Sequence, residues 1–110
     1  MELGCEIMEK YHLCPKFEDA FELLGKRWTG LIIRTLLNNQ KRFTDISDAI
    51  PNMSARMLTE RFKELEVNGI VTRTVYPETP VRIEYELTEK GEELSKVMDE
   101  VQIWAEKWIE

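Results

Sequence analysis

A mainly α-helical chain with one β-hairpin near its end, an α+β arrangement in the order α-α-α-α-β-β-α, is predicted by three observations. Apolar residues recur with a period of about 3.6 as far as Gly69, the period falls to about 2 up to Leu87, and it returns to about 3.6 from Leu94 to Trp108. The 110 residues show no internal repeat or low-complexity tract and suffice for one domain, read as 14–110 behind an N-terminal extension, 1–13.

Each element follows from its own residues. Phe17, Ala20, Phe21 and Leu24 stand at i, i+3, i+4 and i+7, one face of a helix entered through Pro15 and stopped by Gly25. In the second helix Trp28, Leu31, Ile32, Thr35 and Leu36 repeat the pattern, with Ile33 and Leu37 on another side, so neighbours should wrap it until Asn38-Asn39. Phe43, Ile46 and Ile50 face inward from a short third helix closed by Pro51-Asn52. Ser54 then caps a fourth helix that runs to Asn68-Gly69, its hydroxyl oxygen accepting from a first-turn N–H. In that helix Leu58, Phe62 and Leu65 share one face, and Arg56, Thr59, Glu60 and Lys63 the opposite one.

The hairpin comes next. Val81, Ile83, Tyr85 and Leu87 alternate with Arg82, Glu84 and Glu86, and Ile70–Tyr76 is the β-rich partner. Two prolines in Pro77-Glu78-Thr79-Pro80 deny the connection a regular two-residue turn and predict a protruding tip. Thr88 caps the last helix, whose apolar stripe is Leu94, Val97, Met98, Val101, Trp104, Ala105 and Trp108.

Composition narrows the function. The hydrophobic share, 43%, suits a globular core and rules out intrinsic disorder. Apolar runs reach only three residues against the roughly 20 of a membrane span, and no basic signal-peptide start is present, so a soluble cytoplasmic protein is expected. Two cysteines and one histidine build neither a disulfide scaffold nor a structural zinc site, and no metal or cofactor is expected. The net charge of −6 conceals a segregation: Lys26 to Arg82 holds ten bases against six acids, +4, and both flanks are acidic. Only the middle suits phosphate.

Two helices joined by a tight turn and followed by a hairpin suggest a winged helix-turn-helix, with the fourth helix entering the major groove of double-stranded DNA and the hairpin tip approaching the backbone. Arg56 near the start of that helix can offer a bidentate fork to a guanine edge, and Thr59 and Lys63 follow on the same side. Lys41 and Arg42 can hold phosphates, as can Arg73 and Arg82 from the wing, with Thr44, Ser54 and Thr79 as hydroxyl contacts. The competing reading is a solvated basic face.

Cys14-Pro15-Lys16, Leu23-Leu24-Gly25-Lys26-Arg27-Trp28, Lys41-Arg42-Phe43, Ile50-Pro51, Met57-Leu58, Lys63-Glu64-Leu65-Glu66, Gly69-Ile70-Val71 and Tyr85-Glu86-Leu87-Thr88-Glu89-Lys90-Gly91 together resemble the HxlR-type branch of MarR-like bacterial regulators. The resemblance spans about Cys14 to Trp108 and is strongest to the YodB group of thiol-based sensors. It implies a homodimeric transcriptional regulator, usually a repressor, without enzymatic activity. It also implies that the cysteine of the Cys-Pro motif reacts with oxidants or electrophiles such as quinones.

Cys14 independently suits that role. With Pro15 in the first helical position it is the N-cap residue, where the helix dipole and Lys16 favour thiolate. An ordinary buried cysteine is the competing reading. Some relatives close an intersubunit disulfide onto a C-terminal cysteine; none follows Cys14 here, which leaves Cys14 of a second copy, Cys5 or a small thiol. Leu3, Ile7, Met8, Tyr11 and Leu13 in the extension either pack on a partner subunit or fray.

Leu94, Met98, Val101, Trp104 and Trp108 on the last helix have little left in one domain to cover them, so a homodimer through the terminal helices is expected. A winged-helix module binding protein surfaces is the alternative from another class, as is a DNA-binding regulator without thiol sensing. An enzyme is disfavoured, since there is no Cys-x-x-Cys and His12 has no evident carboxylate partner.

Overall fold

The structure, a computed structural model, describes residues 14–39 and 41–110. The expected extension 1–13, with Cys5 and His12, lies outside the described residues. Five helices and a two-stranded antiparallel hairpin follow one another: α1 (Pro15–Leu24), α2 (Thr29–Leu37), α3 (Phe43–Ala49), α4 (Ala55–Val67), β1 (Val71–Tyr76), β2 (Arg82–Leu87) and α5 (Glu89–Trp108). The order matches the predicted one.

The core sits where α2, α3, α4 and the hairpin converge. Ile32, Ile33, Ile46, Leu58, Phe62 and Leu65 are buried to within 1% of complete. The Phe62 ring stacks on Tyr85 of β2 at 3.7 Å between centroids, which seats the hairpin against α4. At about 1.5 to 3 kcal/mol for each large apolar side chain removed from water, these residues fix α4 from behind and leave its other face outside. The α4 start is capped as expected, Ser54 Oγ accepting from Met57 N–H at 3.0 Å. The end is closed by Gly69, whose φ of +75° is open to glycine at no steric cost.

Register is Val71 opposite Leu87 through Tyr76 opposite Arg82, which leaves Pro77 to Val81 as the tip. Val81, expected to continue the alternation, therefore lies outside β2 and is exposed. A short third pairing joins the sheet, because Lys41 O accepts from Tyr85 N–H at 2.8 Å and Arg42 stands opposite Glu84. Thr88 caps α5 through Gly91 N–H at 3.1 Å.

Two features depart from the sequence pattern. The inward face expected of α1 is bare: Phe17 and Phe21 are 61% and 55% exposed, their rings 5.0 Å apart, and only Leu23 and Leu24 reach the core. Between α1 and α2, Trp28 adopts φ +82°, a left-handed conformation that costs a bulky residue on the order of 1 to 3 kcal/mol.

Candidate nucleic-acid interface

The outward face of α4 follows from its burial. With Leu58, Phe62 and Leu65 turned in, Arg56, Thr59, Glu60 and Lys63 are exposed. Arg56 stands in the first turn, next to the unsatisfied N–H groups and the positive end of the helix dipole. The Thr59 hydroxyl donates to Ala55 O at 2.9 Å and keeps its lone pairs available as acceptors. Ser54 is exposed beside them, its oxygen engaged in the cap.

Between α4 and the hairpin runs a cleft of about 490 Å³ lined by Thr59, Lys63, Glu66, Arg73 and the rings of Phe43 and Tyr85. Lys63 and Arg73 thus face one cleft from its two walls, although ten residues separate them. A second cleft, about 360 Å³, opens between the start of α3 and the wing tip, lined by Arg42, Thr44, Glu78, Thr79 and Arg82 among others. Arg42, Arg56, Lys63 and Arg73 carry no ion pair among the described residues.

The two remaining bases of the expected set are engaged. Arg82 is held inside the wing by Glu78, at 2.8 Å and 3.3 Å, and by Glu84, with its guanidinium 4.0 Å over the Tyr76 ring. These hydrogen bonds to Glu78 and Glu84 raise its pKa against the opposing effect of burial, and the Glu78 carboxyl is held below its ordinary value chiefly by its hydrogen bond to Arg82. Lys41 donates to Glu86 at 2.7 Å, which raises the lysine's pKa. The carboxylates that brace the wing were missed in the sequence; a five-residue tip brings Glu78 back over Arg82, and no periodicity encodes that.

Cys14 is the N-cap residue of α1 with Pro15 behind it, as the sequence predicts, and its sulfur makes no capping hydrogen bond. It is disulfide-bonded in this structure, to a partner outside the described residues, so the thiolate expected from its position belongs to the reduced form. The terminal helices leave apolar surface uncovered. Leu94 and Met98 lean on the core, whereas Val101, Trp104 and Trp108 of the same stripe are 53%, 58% and 64% exposed. Among the described residues no helix is long and apolar enough to cross a membrane.

Residues 23–110 match the model of an HxlR-like helix-turn-helix family. The chain is 52% identical over 103 residues to the uncharacterized HTH-type transcriptional regulator YvaP of Bacillus subtilis (strain 168), covering 94% of this chain and 95% of that one. It is also similar to the reduced form of the transcriptional regulator YodB from B. subtilis, at 56% identity with a TM-score of 0.77, over 90% of this chain and 97% of that one. The quinone-bound form of YodB matches at 51% identity with a TM-score of 0.76, over 87% and 100%.

Proposed function

The chain belongs to the HxlR-like helix-turn-helix family of transcriptional regulators, and from that premise we propose that it binds a pseudo-palindromic operator in double-stranded DNA as a cytoplasmic homodimer, as a repressor, under control of Cys14. One observation carries the DNA part: the four unengaged bases Arg42, Arg56, Lys63 and Arg73 gather around α4 and its clefts in a chain that is otherwise acidic.

In this reading α4 enters the major groove and Arg56 reads a guanine edge. The backbone strand between two grooves follows the cleft between α4 and the hairpin, where Lys63 and Arg73 neutralise its phosphates from both sides. Arg42, Thr44 and Thr79 meet the next strand at the wing tip. A second copy covers Phe17, Phe21, Val101, Trp104 and Trp108, and the two α4 helices then stand about one DNA turn, roughly 34 Å, apart.

The thiol part is supported by the placement of Cys14 at a helix N-terminus and by the quinone-bound state of the similar YodB. With a quinone, the thiolate sulfur bonds to a ring carbon, the thiol's proton passes to one quinone oxygen, the hydrogen of the attacked carbon leaves as a proton for the other oxygen, and the ring becomes a sulfur-substituted hydroquinone. With an oxidant, two thiols join as a disulfide and give up two protons and two electrons to it. Cys14→Ser should bind DNA as the reduced wild type does and ignore a quinone, while Cys5→Ser still responds; a fully responsive Cys14→Ser removes Cys14 from the switch.

The DNA reading is tested by duplexes enriched from a random pool on the reduced protein. Log K should fall by about 0.9 per neutralised phosphate as log salt rises. A flat salt dependence, or no enrichment, rejects it.

A further inference from the structure

On the edge of α4 away from the hairpin, Arg61 and Glu64 close a clasp onto the joint between α1 and α2. Arg61 Nε donates to Arg27 O at 2.9 Å, and its Nη1 lies 3.3 Å from both Glu64 oxygens. Glu64 accepts in turn from Lys26 Nζ at 3.0 Å. The Arg61 and Glu64 side chains are only 15% and 29% exposed, well below the other charged groups of α4's outer face. The joint is the strained one, with Trp28 at φ +82° and the Arg27 guanidinium 4.4 Å over its ring. Arg27 O precedes the first helical hydrogen bond of α2, from Ile32 N–H to Trp28 O, so Arg61 satisfies a carbonyl outside the helical ladder.

The clasp matters because it ties α4 to the joint on which α1 ends. No residue of α1 is buried, and only Leu23 and Leu24, beside the joint, touch the core. Ten helical residues at about 1.5 Å each make α1 roughly 15 Å long, with Cys14 at its start and the clasp at the joint beyond its end. The helix that carries Arg56 and Lys63 is therefore attached by its inner edge to the element that carries Cys14.

We infer that Arg61 and Glu64 are positioning residues for DNA recognition: through Lys26 and the Arg27 carbonyl they set the angle of α4 against α1, and a change at Cys14 reaches the reading face by this route. The inference rests on the DNA-binding and thiol-switch reading above. Neither residue needs to touch DNA.

The test compares wild type, Arg61→Lys, Glu64→Gln and Lys26→Gln by thermal unfolding, by affinity for the duplex enriched on wild type and for a random duplex, and by loss of affinity after treatment with 1,4-benzoquinone. Residues on a coupling route alter coupling by roughly 2- to 30-fold. The variants should therefore hold random duplex as wild type does, lose selectivity by that factor, and show a quinone response reduced by a similar one. Wild-type selectivity and wild-type quinone response in Arg61→Lys and Glu64→Gln overturn the inference and leave the switch intact. If both fail to fold, Lys26→Gln, at an exposed site, decides it: an unaltered quinone response overturns the inference. A wild-type protein that neither selects a sequence nor responds to quinone overturns the underlying reading, and the inference with it.

Discussion

At Gly91, in the first turn of α5, a Cβ would stand 2.2 Å from Ile70 O and 3.0 Å from the Leu87 side chain. The obstacle is backbone at the entrance of the hairpin, which side-chain rotation cannot clear. Gly91→Ala should therefore destabilise the fold by at least the roughly 1 to 3 kcal/mol of an overpacked core, measured by denaturant unfolding; a neutral result would mean that α5 is not seated where the structure has it. Among the bases, engagement decides rank. Arg56→Ala should cost roughly 1 to 3 kcal/mol of operator affinity and relax preference at one base per half-site. Arg82→Ala, which frees two wing carboxylates, should weaken all sequences alike, and competition between specific and random duplexes separates the two effects. The sequence alone offers Arg82 to phosphate on the same footing as Arg73, because the Glu78 and Glu84 partners are assembled by the turn.

Elements show where the sequence is legible. Helix spans and the Ser54 and Thr88 caps are local, set by residues within a turn of one another, and they emerge as predicted. Ser54→Ala should cost about 1 kcal/mol, seen as a lower unfolding midpoint. The face of α1 is a different matter: spacing reveals that Phe17 and Phe21 lie together but not what covers them. The clasp is illegible for the same reason, since its partners lie 34 and 38 residues apart. The wing supplies a pH test. Arg82 holds the Glu78 carboxyl below its ordinary value of 4.5, so the stability of this contact is present above that value and is lost as the pH falls below it. Amide resonances of the tip should shift in that acid range while those of α2 and α4 stay, and Arg82→Gln should return the Glu78 titration toward 4.5.

The whole molecule keeps its basic middle and its bare aromatic rings apart. The basic middle is presented by α4 and the two clefts, and the bare aromatic residues Phe17, Phe21, Trp104 and Trp108 lie on α1 and α5. Removing 101–110 should abolish dimerisation and tight operator binding while leaving the core of Ile32, Leu58 and Phe62 folded, since none of the removed residues is buried. Sedimentation read beside circular dichroism checks this, and a truncated chain that still sediments as a dimer places the interface elsewhere. The three tryptophans follow the same division, with Trp28 at the joint and Trp104 and Trp108 on the open stripe. Their emission colour depends on how wet each indole is, so dilution should red-shift the light from Trp104 and Trp108. Trp28, half-covered beside Arg27, should be indifferent to dilution and sensitive to thiol chemistry. With Trp104 and Trp108 replaced by phenylalanine, one fluorophore would watch the joint alone, without any dye attached.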